Sequence, residues 1–372
     1  MDYLLSVLVT FGVSALFTAF IIPQIILVSF KRRLFDVVDE RKVHKGIVPR
    51  LGGVAFVPAV ILSLAFMAGN YDLIMDFSTV HMNFDPRLAL ILCAFTLLYF
   101  EGITDDLIGI GYRIKFLFQF VCAAMVVGSG LYLSDFCGVL GIHLIPLWLA
   151  YPFSVLLIVF IINAINLIDG IDGLSSGLSM IAALFMGFSF IMKQDFLFAL
   201  LSFATLGTLA SFFVYNVFGK AERKNKIFMG DCGSQCIGLL LSVLAIRLMM
   251  SDGIVNGSLS LSNSLVIVFS VLMIPCLDVI RVMGGRICRH RNPFLPDKSH
   301  IHHKFLDLGL SHKKAMFMIL LIDMFFVLLN MLLLDLLNVN MILLLDIALW
   351  GLMIVWLNVV VSARKEIQKN LF

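Results

Sequence analysis

The sequence predicts an all-α polytopic membrane protein with about eleven transmembrane helices, an outside N-terminus and a cytoplasmic C-terminus. Of its 372 residues, 61% are hydrophobic and 14% are charged, whereas a soluble domain has about 45–50% apolar and about 25% charged residues. Apolar runs of about 20 residues, the length that crosses a bilayer, recur along the whole chain. Lys and Arg gather in alternate connecting loops. These three observations carry the fold prediction.

Each apolar run predicts one helix. The runs are 3–30, 51–69, 87–104, 115–134, 148–167, 173–192, 196–216, 233–250, 262–282, 315–334 and 340–361. The first run lacks the basic start and small-residue cleavage site of a secretory signal, so we expect it to remain as a span. Nothing in the sequence suggests a separate soluble domain or a repeat, and residues 1–372 are treated as one membrane domain.

The distribution of basic residues orients these helices, because cytoplasmic loops carry the excess of Lys and Arg. Alternate loops hold 24 of the 27 basic residues, and they are 31–50, 105–115, 217–230, 281–314 and 362–372. The short turn 168–172 falls on the same side. The three remaining basic residues are Arg87, Lys193 and Arg247. The sequence therefore predicts a multi-pass protein whose chemistry lies in cytoplasmic loops near 31–50, 105–115, 168–172, 217–230 and 281–314.

The first two inside loops carry groups suited to phosphate and a metal. Gly52 and Gly53 permit close backbone approach at a helix start, where phosphate is favoured, and Lys45 and Arg50 add positive charge. Asp105 and Asp106 are adjacent acids at a span end. A divalent cation such as Mg²⁺ would relieve their repulsion. The alternative for this pair is a helix N-cap or a solvated turn.

The next two loops concentrate polar side chains at helix ends. The run from Asn163 to Leu174 includes Asn166, Asp169 and Asp172, and such groups are costly at this depth without partners. The run from Lys226 to Ser234 places Asp231 between glycines at a helix start. There the Asp231 carboxylate either caps the helix or holds a metal.

The longest inside loop is rich in Arg and His. Arginines such as Arg281 and Arg289 suit diphosphate oxygens through bidentate hydrogen bonds. His300, His302 and His303 invite a zinc hypothesis. Without a companion Cys or an HExxH motif, contacts to phosphate or sugar are the favoured interpretation. The seven cysteines are scattered without CxxC spacing, so they are predicted to be reduced.

Together these segments resemble the polyprenyl-phosphate N-acetylhexosamine-1-phosphate transferase family, motif by motif and in order over most of the chain. The runs 163–174 and 228–234 are specific when taken jointly. The run 44–53 with Arg50, and the histidines at 300–303, resemble the WecA/TagO branch, which uses UDP-N-acetylglucosamine. The muramoyl-pentapeptide (MraY) branch, kept as the alternative, has a different histidine signature and lacks an arginine at the Arg50 position.

The resemblance implies a reaction and its setting. UDP-N-acetylhexosamine and undecaprenyl phosphate would give the lipid-linked sugar diphosphate and UMP, at the cytoplasmic face of a bacterial inner membrane. It implies Mg²⁺, with Mn²⁺ as a substitute. The expected partners are the two substrates and the bilayer, with no nucleic acid, and a homodimer stays an open option. The product would be the first lipid-linked sugar of a cell-envelope glycan such as a lipopolysaccharide or teichoic acid.

The resemblance also implies roles for individual residues. Asp231 is the expected direct Mg²⁺ ligand, assisted by Asp106. The expected catalytic residues are Asp105, Asp106, Asp172, His300, His302 and His303. The expected substrate-binding residues are Lys45, Arg50, Asn166, Asp169, Asn216, Phe228, Arg281 and Arg289, with Phe228 as the platform for uracil. Asp105 is expected to be a base, a charge organiser or a covalent nucleophile.

A secondary transporter is the alternative from another functional class. Eleven spans with buried acids suit a transporter, and Asp323 and Asp346 fall inside predicted spans without a catalytic role. A transporter places its key polar residues near the midplane of the bilayer. Here they gather at the cytoplasmic rim, which favours the enzyme.

Overall fold

A computed structural model of the chain describes residues 2–34, 47–70, 87–250, 260–290 and 299–370. Within these residues the fold is almost entirely helical. The twelve α-helices are α1 (Asp2–Arg32), α2 (Phe56–Gly69), α3 (Arg87–Ile108), α4 (Tyr112–Gly128), α5 (Leu147–Ile168), α6 (Leu174–Met192), α7 (Phe196–Phe213), α8 (Gly230–Met249), α9 (Leu261–Ile287), α10 (Ile301–Asp307), α11 (His312–Leu333) and α12 (Val339–Asn370). Short 3₁₀ turns cover Gly52–Ala55 and Ala221–Arg223.

The prediction of an all-α polytopic membrane protein is confirmed. Ten helices in the described part of the chain are long and apolar enough to cross a membrane. The eleventh predicted run, 115–134, corresponds to α4, which has 17 residues. A helix of that length lies at the lower end of what spans a bilayer, about 17 residues. The sequence pattern therefore located every helix of spanning length that the structure describes.

A small antiparallel hairpin, which the sequence did not predict, connects α4 and α5. Its strands are β1 (Asp135–Val139) and β2 (Ile142–Leu144), paired with Asp135 opposite Leu144. Asn340 at the start of α12 fixes the hairpin turn, since its Oδ1 accepts from the backbone N–H of Leu140 at 2.8 Å. Through this hydrogen bond the hairpin is attached to the start of α12.

Helix α8 lies at the centre of the bundle and is the most buried of the spanning helices. Glycines allow its neighbours to approach closely, as in many membrane helix pairs. A Cβ at Gly238 would lie 2.6 Å from the Cα of Ile162 on α5, and a Cβ at Gly102 on α3 would lie 2.4 Å from the Cα of Cys232. The first turn of α8 is therefore held between α3 and α5, where the polar motifs converge.

Two of the three basic residues outside the predicted inside loops have partners in or beside α8. Arg247 donates to Asp195 at 2.7 Å. Lys193 donates to the carbonyl oxygen of Leu248 in the last turn of α8, where a cation is favoured by the helix dipole. Arg247 and Lys193 therefore each have a partner at the end of the bundle away from the polar motifs.

Candidate active site

A pocket of about 330 Å³ opens at the end of the bundle where α3, α5 and α8 meet the predicted inside loops. Its volume is in the range of small-molecule sites, about 300–1,000 Å³. Eight residues predicted from the sequence line it: Arg50, Asp106, Asn166, Asp169, Asp172, Asn216, Phe228 and Asp231. Residues separated by up to 181 positions along the chain thus share one polar cavity.

One wall of the pocket is built by two loops that dock backbone to backbone. The N–H of Phe228 donates to the carbonyl oxygen of Pro49 at 2.8 Å, and the N–H of Gly52 donates back to the carbonyl oxygen of Phe228 at 2.9 Å. Gly53 approaches so closely that a Cβ there would lie 2.1 Å from the Cα of Gly233. The close approach expected at Gly52 and Gly53 is therefore to another segment of the protein, and their amides are used in that contact.

Asp106 connects α3 to the start of α8. Its Oδ1 accepts from the backbone N–H of Asp231 at 2.7 Å, and its Oδ2 accepts from the N–H of Cys232 at 3.0 Å. Gly230 precedes them with a φ of +76°, a conformation that glycine adopts without strain. Asp106 therefore caps the N-terminus of α8 while it lines the pocket.

Lys115, which the sequence analysis did not single out, contacts two of the acidic residues, Asp105 and Asp231. The Lys115 ammonium, at the start of α4, forms an ion pair with Oδ2 of Asp105 and lies 3.2 Å from Oδ2 of Asp231. Asp105 is almost fully buried and its Oδ1 accepts from the N–H of Ile110 at 2.6 Å. The single positive charge of Lys115 thus lies between two carboxylates and reduces their mutual repulsion.

Asn166 and Asn216 hold the acidic loops in place. Nδ2 of Asn166 donates to Oδ1 of Asp231 at 2.6 Å and to Oγ of Ser234 at 2.8 Å. Asn216 lies in a π-helical turn, Val214–Phe218, at the end of α7. Its Oδ1 accepts from the N–H of Gly173 at 2.7 Å and its Nδ2 donates to the carbonyl oxygen of Ile227 at 2.9 Å. Both side chains fix the pocket walls that they line.

Asp172 and Phe228 are brought together by Lys226. The Lys226 ammonium lies 2.6 Å from Oδ2 of Asp172 and 5.8 Å from the centroid of the Phe228 ring. Phe228 therefore presents an aromatic ring beside a carboxylate whose charge is partly neutralised. A flat aromatic ring next to a hydrogen-bond acceptor is suited to a nucleobase.

The pocket is strongly acidic, and Asp169 shows the consequence. Burial raises the pKa of Asp169 to about 7, and the nearby negative charges of Asp231, Asp172 and Asp106 raise it further, while Arg50 opposes them. At a pKa of about 7, both the neutral and the charged form of the carboxyl group are populated near neutral pH. The site would therefore gain from an added positive charge.

The predicted histidines lie behind the pocket and do not line it. Nδ1 of His300 is 2.9 Å from Oδ2 of Asp278, and that carboxylate also accepts from Arg281 at 2.6 Å. His302 is buried against the pocket wall, since a Cβ at Gly170 would lie 2.2 Å from its Nε2. Burial lowers the pKa of His302 to about 3. His302 therefore packs against the acidic loop, whereas His300 is hydrogen-bonded to Asp278 on α9.

Two further predicted residues, His303 and Arg289, also lie away from the cavity. His303 follows His302, with ring centroids 4.3 Å apart. Arg289, just beyond the end of α9, donates from Nε to the carbonyl oxygen of Gly285 in the last turn of that helix at 2.7 Å. Lys45 lies outside the described residues. His312, in the same loop as the predicted histidines, does line the pocket, and no spacing rule distinguishes it from the others.

The donor atoms of the pocket fit Mg²⁺. No three His, Cys, Asp or Glu side chains form a ready metal cluster in the part of the chain that the structure describes. Mg²⁺ usually takes one or two carboxylates and completes its shell with water and substrate phosphates. Asp231, with a side chain 39% exposed at the pocket, and its acidic neighbours supply such oxygens.

Comparison with known proteins agrees with the motifs. Residues 88–249 match glycosyl transferase family 4. A Bacillus subtilis (strain 168) protein described as a probable undecaprenyl-phosphate N-acetylglucosaminyl 1-phosphate transferase is 32% identical over 326 residues, covering 87% of this chain and 84% of the relative.

Two proteins described as undecaprenyl-phosphate alpha-N-acetylglucosaminyl 1-phosphate transferases are similar too. The Salmonella typhi protein is 32% identical, covering 82% of this chain and 78% of the relative. The Yersinia pestis protein is 30% identical, covering 79% and 75%. The chain therefore belongs to glycosyl transferase family 4, the polyprenyl-phosphate N-acetylhexosamine-1-phosphate transferases that its motifs resemble.

Proposed function

We propose that this protein transfers N-acetylhexosamine-1-phosphate, in the first instance GlcNAc-1-phosphate, from a UDP-sugar to undecaprenyl phosphate and releases UMP. The observation that carries the proposal is that eight residues of the family motifs line one pocket. The names of the relatives support the lipid acceptor and the sugar.

The pocket offers a group for each part of the donor. Phe228 presents a ring for stacking on the base, with Asp172 beside it. Arg50 lines the cavity and can pair with diphosphate oxygens. The carboxylates would repel a diphosphate, so the donor needs a cation between itself and this wall.

We propose Mg²⁺ as that cation, with Mn²⁺ as a substitute. Asp231 is the proposed ligand, because its carboxylate is the exposed member of the ion-paired group. Asp106 contributes mainly by capping α8, which fixes the backbone of Asp231. When bound, the metal would neutralise the charge that develops on the departing UMP.

The side chains around the metal position the reaction. An oxygen of the lipid phosphate forms a bond to the β-phosphorus as the bond from that phosphorus to the UMP oxygen breaks. The second pKa of a phosphate monoester is about 6, so much of the acceptor is already a dianion at neutral pH. Asp105 is buried and ion-paired with Lys115, which supports a role in organising charge over a covalent nucleophile.

We further propose that the protein resides in the bacterial cytoplasmic membrane with this pocket facing the cytoplasm. The pocket takes lining residues from four predicted inside loops, 31–50, 105–115, 217–230 and 281–314, which hold 21 of the 27 basic residues, and such loops remain in the cytoplasm. UDP-sugars are made there, so the donor would reach the pocket directly.

The test is UMP release by detergent-purified protein supplied with undecaprenyl phosphate, Mg²⁺ and UDP-N-acetylglucosamine, with an EDTA control. Lipid-dependent, EDTA-sensitive UMP supports the reaction and the donor. UMP from another UDP-sugar alone would keep the reaction and change the sugar, and UDP-MurNAc-pentapeptide tests the muramoyl-pentapeptide alternative. No UMP with any donor would overturn the proposal and favour a transporter.

A further inference from the structure

A second polar layer lies one helical turn deeper in the membrane than the first. The first layer consists of Asp105, Lys115, Asp231 and Asn166. Glu101, Gln119 and Gln235 occupy the positions four residues away on the same helices, and Asn163 lies three residues before Asn166. Four residues of helix advance about 6 Å. Each first-layer side chain therefore has a polar counterpart on the membrane side.

Hydrogen bonds connect most of this second layer. Nδ2 of Asn163 donates to Oε1 of Gln119 at 2.7 Å, and Nε2 of Gln119 donates to Oε1 of Gln235 at 2.9 Å. Their amide groups thus fix one another across α4, α5 and α8. The ionisable member of this layer is Glu101 on α3.

Glu101 is 4% exposed, and neither of its carboxylate oxygens makes a hydrogen bond of normal geometry within the described residues, although the Gln235 amide lies beside it. A buried carboxylate without such a partner is expensive. The charge that attracts it is the ammonium of Lys115, one layer above. The structure thus places an unused acceptor beneath a cation that already has two carboxylates.

A divalent cation at Asp231 would disturb that arrangement. The Lys115 ammonium lies 3.2 Å from Oδ2 of Asp231, so it would face a like charge at short range. Lysine has a flexible four-carbon side chain. It can keep its contact with Asp105 while its ammonium turns away from Asp231 and toward the layer below.

We propose that Glu101 is a positioning residue that receives the Lys115 ammonium when a divalent cation occupies Asp231. Lys115 then acts as an exchangeable counter-ion, which neutralises Asp231 in the empty site and moves toward Glu101 when the cation arrives. The inference rests on the cation site of the proposed function. It assigns a task to Glu101, which the reaction itself does not use.

The experiment measures Mn²⁺ binding to detergent-purified protein by electron paramagnetic resonance, without nucleotide-sugar or lipid. Glu101→Gln keeps the shape and removes the charge, so Lys115 continues to compete at Asp231. We expect affinity to fall about tenfold, the scale of one charge interaction in a partly buried site. Lys115→Met removes the competitor and should bind Mn²⁺ more tightly than the unsubstituted protein.

The decisive comparison is the double variant. If Glu101 acts through Lys115, Glu101→Gln should cause no further loss of Mn²⁺ affinity in the Lys115→Met background. An equal loss in both backgrounds would show that Glu101 attracts the cation directly and would overturn the proposal. An unchanged affinity in Glu101→Gln, or no Mn²⁺ binding by the unsubstituted protein, would overturn it as well.

Asp346→Asn is the matched control, because Asp346 is a buried carboxylate on α12 that hydrogen-bonds Asn330 and lies outside the pocket. The Asp346→Asn variant should bind Mn²⁺ with the same affinity as the unsubstituted protein. UMP release is measured separately. Release without coupling between Glu101 and Lys115 would overturn this inference alone, whereas coupling without release would overturn the proposed reaction and keep the cation site.

Discussion

The carboxylate of Asp106 accepts the backbone N–H of Asp231, with 2.7 Å between Oδ1 and the nitrogen. The residue proposed to hold the metal is therefore positioned by the second acid of the Asp105-Asp106 pair. The sequence left two interpretations of this pair open, a metal site or a helix cap. Asp106 is a cap for a helix 125 residues away in the chain, and it performs that task at the edge of the pocket.

Replacing Asp106 should lower both stability and turnover. Asp106→Ala removes both acceptors from the start of α8, and loss of an N-cap costs about 0.5–2 kcal/mol. Asp106→Asn keeps one oxygen acceptor, so its melting temperature should lie between those of the alanine variant and the unsubstituted protein. Melting in detergent and UMP release check this order. An alanine variant as stable as the unsubstituted protein would contradict the capping role.

The docking of the two loops makes a prediction about glycine. Gly53→Ala would place a Cβ 2.1 Å from the Cα of Gly233, where neither backbone can yield without separating the loops. We expect a lower melting temperature and a large loss of UMP release. Gly111→Ala is the control, because a Cβ at Gly111 has no neighbour within 4 Å. Equal behaviour of the two variants would show that the loops do not need this contact.

The sequence predicted the helices well because the length of an apolar run is a local property. Each run can be recognised from its own residues, without knowledge of the rest of the chain. The motif residues of the pocket were also found, because polar groups at span ends are conspicuous in so apolar a chain. The hairpin at Asp135–Leu144 was missed because its strands are short and its turn is fixed by Asn340, from a distant helix.

Contacts between residues that are distant in the chain could not be predicted from the sequence. Lys115 looks like an ordinary inside-loop cation, yet it meets Asp231 across 116 positions of the chain. His300 looks available for substrate, but Asp278 engages its Nδ1. In both cases the three-dimensional partner decides the role, and no local spacing reveals that partner.

Orientation in the membrane can be tested with a reporter at the C-terminus. The C-terminal part of α12 carries Arg364 and Lys365 directly after its apolar stretch, and basic residues next to a span favour the cytoplasm. A green fluorescent protein fused there should fluoresce, because it folds in the cytoplasm and fails to fold after export through the general secretory route. A fused alkaline phosphatase should be inactive. An active phosphatase with a dark fluorescent protein would reverse the orientation.

His302 should make stability fall as the medium becomes acidic. Its pKa in the folded protein is lowered to about 3 by burial and by the neighbouring histidines, whereas an unfolded histidine has a pKa of about 6.5. At a pH between these two pKa values, the histidine is protonated in the unfolded chain and neutral in the folded protein. The free energy of unfolding should therefore decrease by about 1.4 kcal/mol per pH unit below about 6.5.

The measurement compares melting at pH 7.5 and pH 5.5 in His302→Gln and in the unsubstituted protein. The variant should lose less stability over this interval, whatever its absolute melting temperature. His143→Gln, at an exposed site in β2, should retain the original pH dependence. A His302→Gln variant with that same dependence would show that His302 binds its proton as readily in the folded protein as in the unfolded chain.

Asp169 should show the opposite dependence on pH and a conflict between stability and function. Burial and neighbouring acids raise its pKa to about 7, whereas the unfolded value is about 3.9. As the pH rises above about 4 the unfolded chain loses this proton first, so Asp169 destabilises the fold increasingly up to pH 7. Solvent in the open pocket screens these charges and reduces the effect. We therefore expect ionised Asp169 to lower the free energy of unfolding by on the order of 1–2 kcal/mol above pH 7.

Asp169→Asn should therefore raise the melting temperature at pH 8 in EDTA and lower UMP release, since the carboxylate belongs to the proposed donor site. At pH 4 the gain in melting temperature should vanish. Asp172→Asn is the matched comparison and should lower the melting temperature at pH 8, because it breaks the 2.6 Å contact with Lys226. Destabilisation by both substitutions would mean that Asp169, like Asp172, is held by a cation in the folded protein.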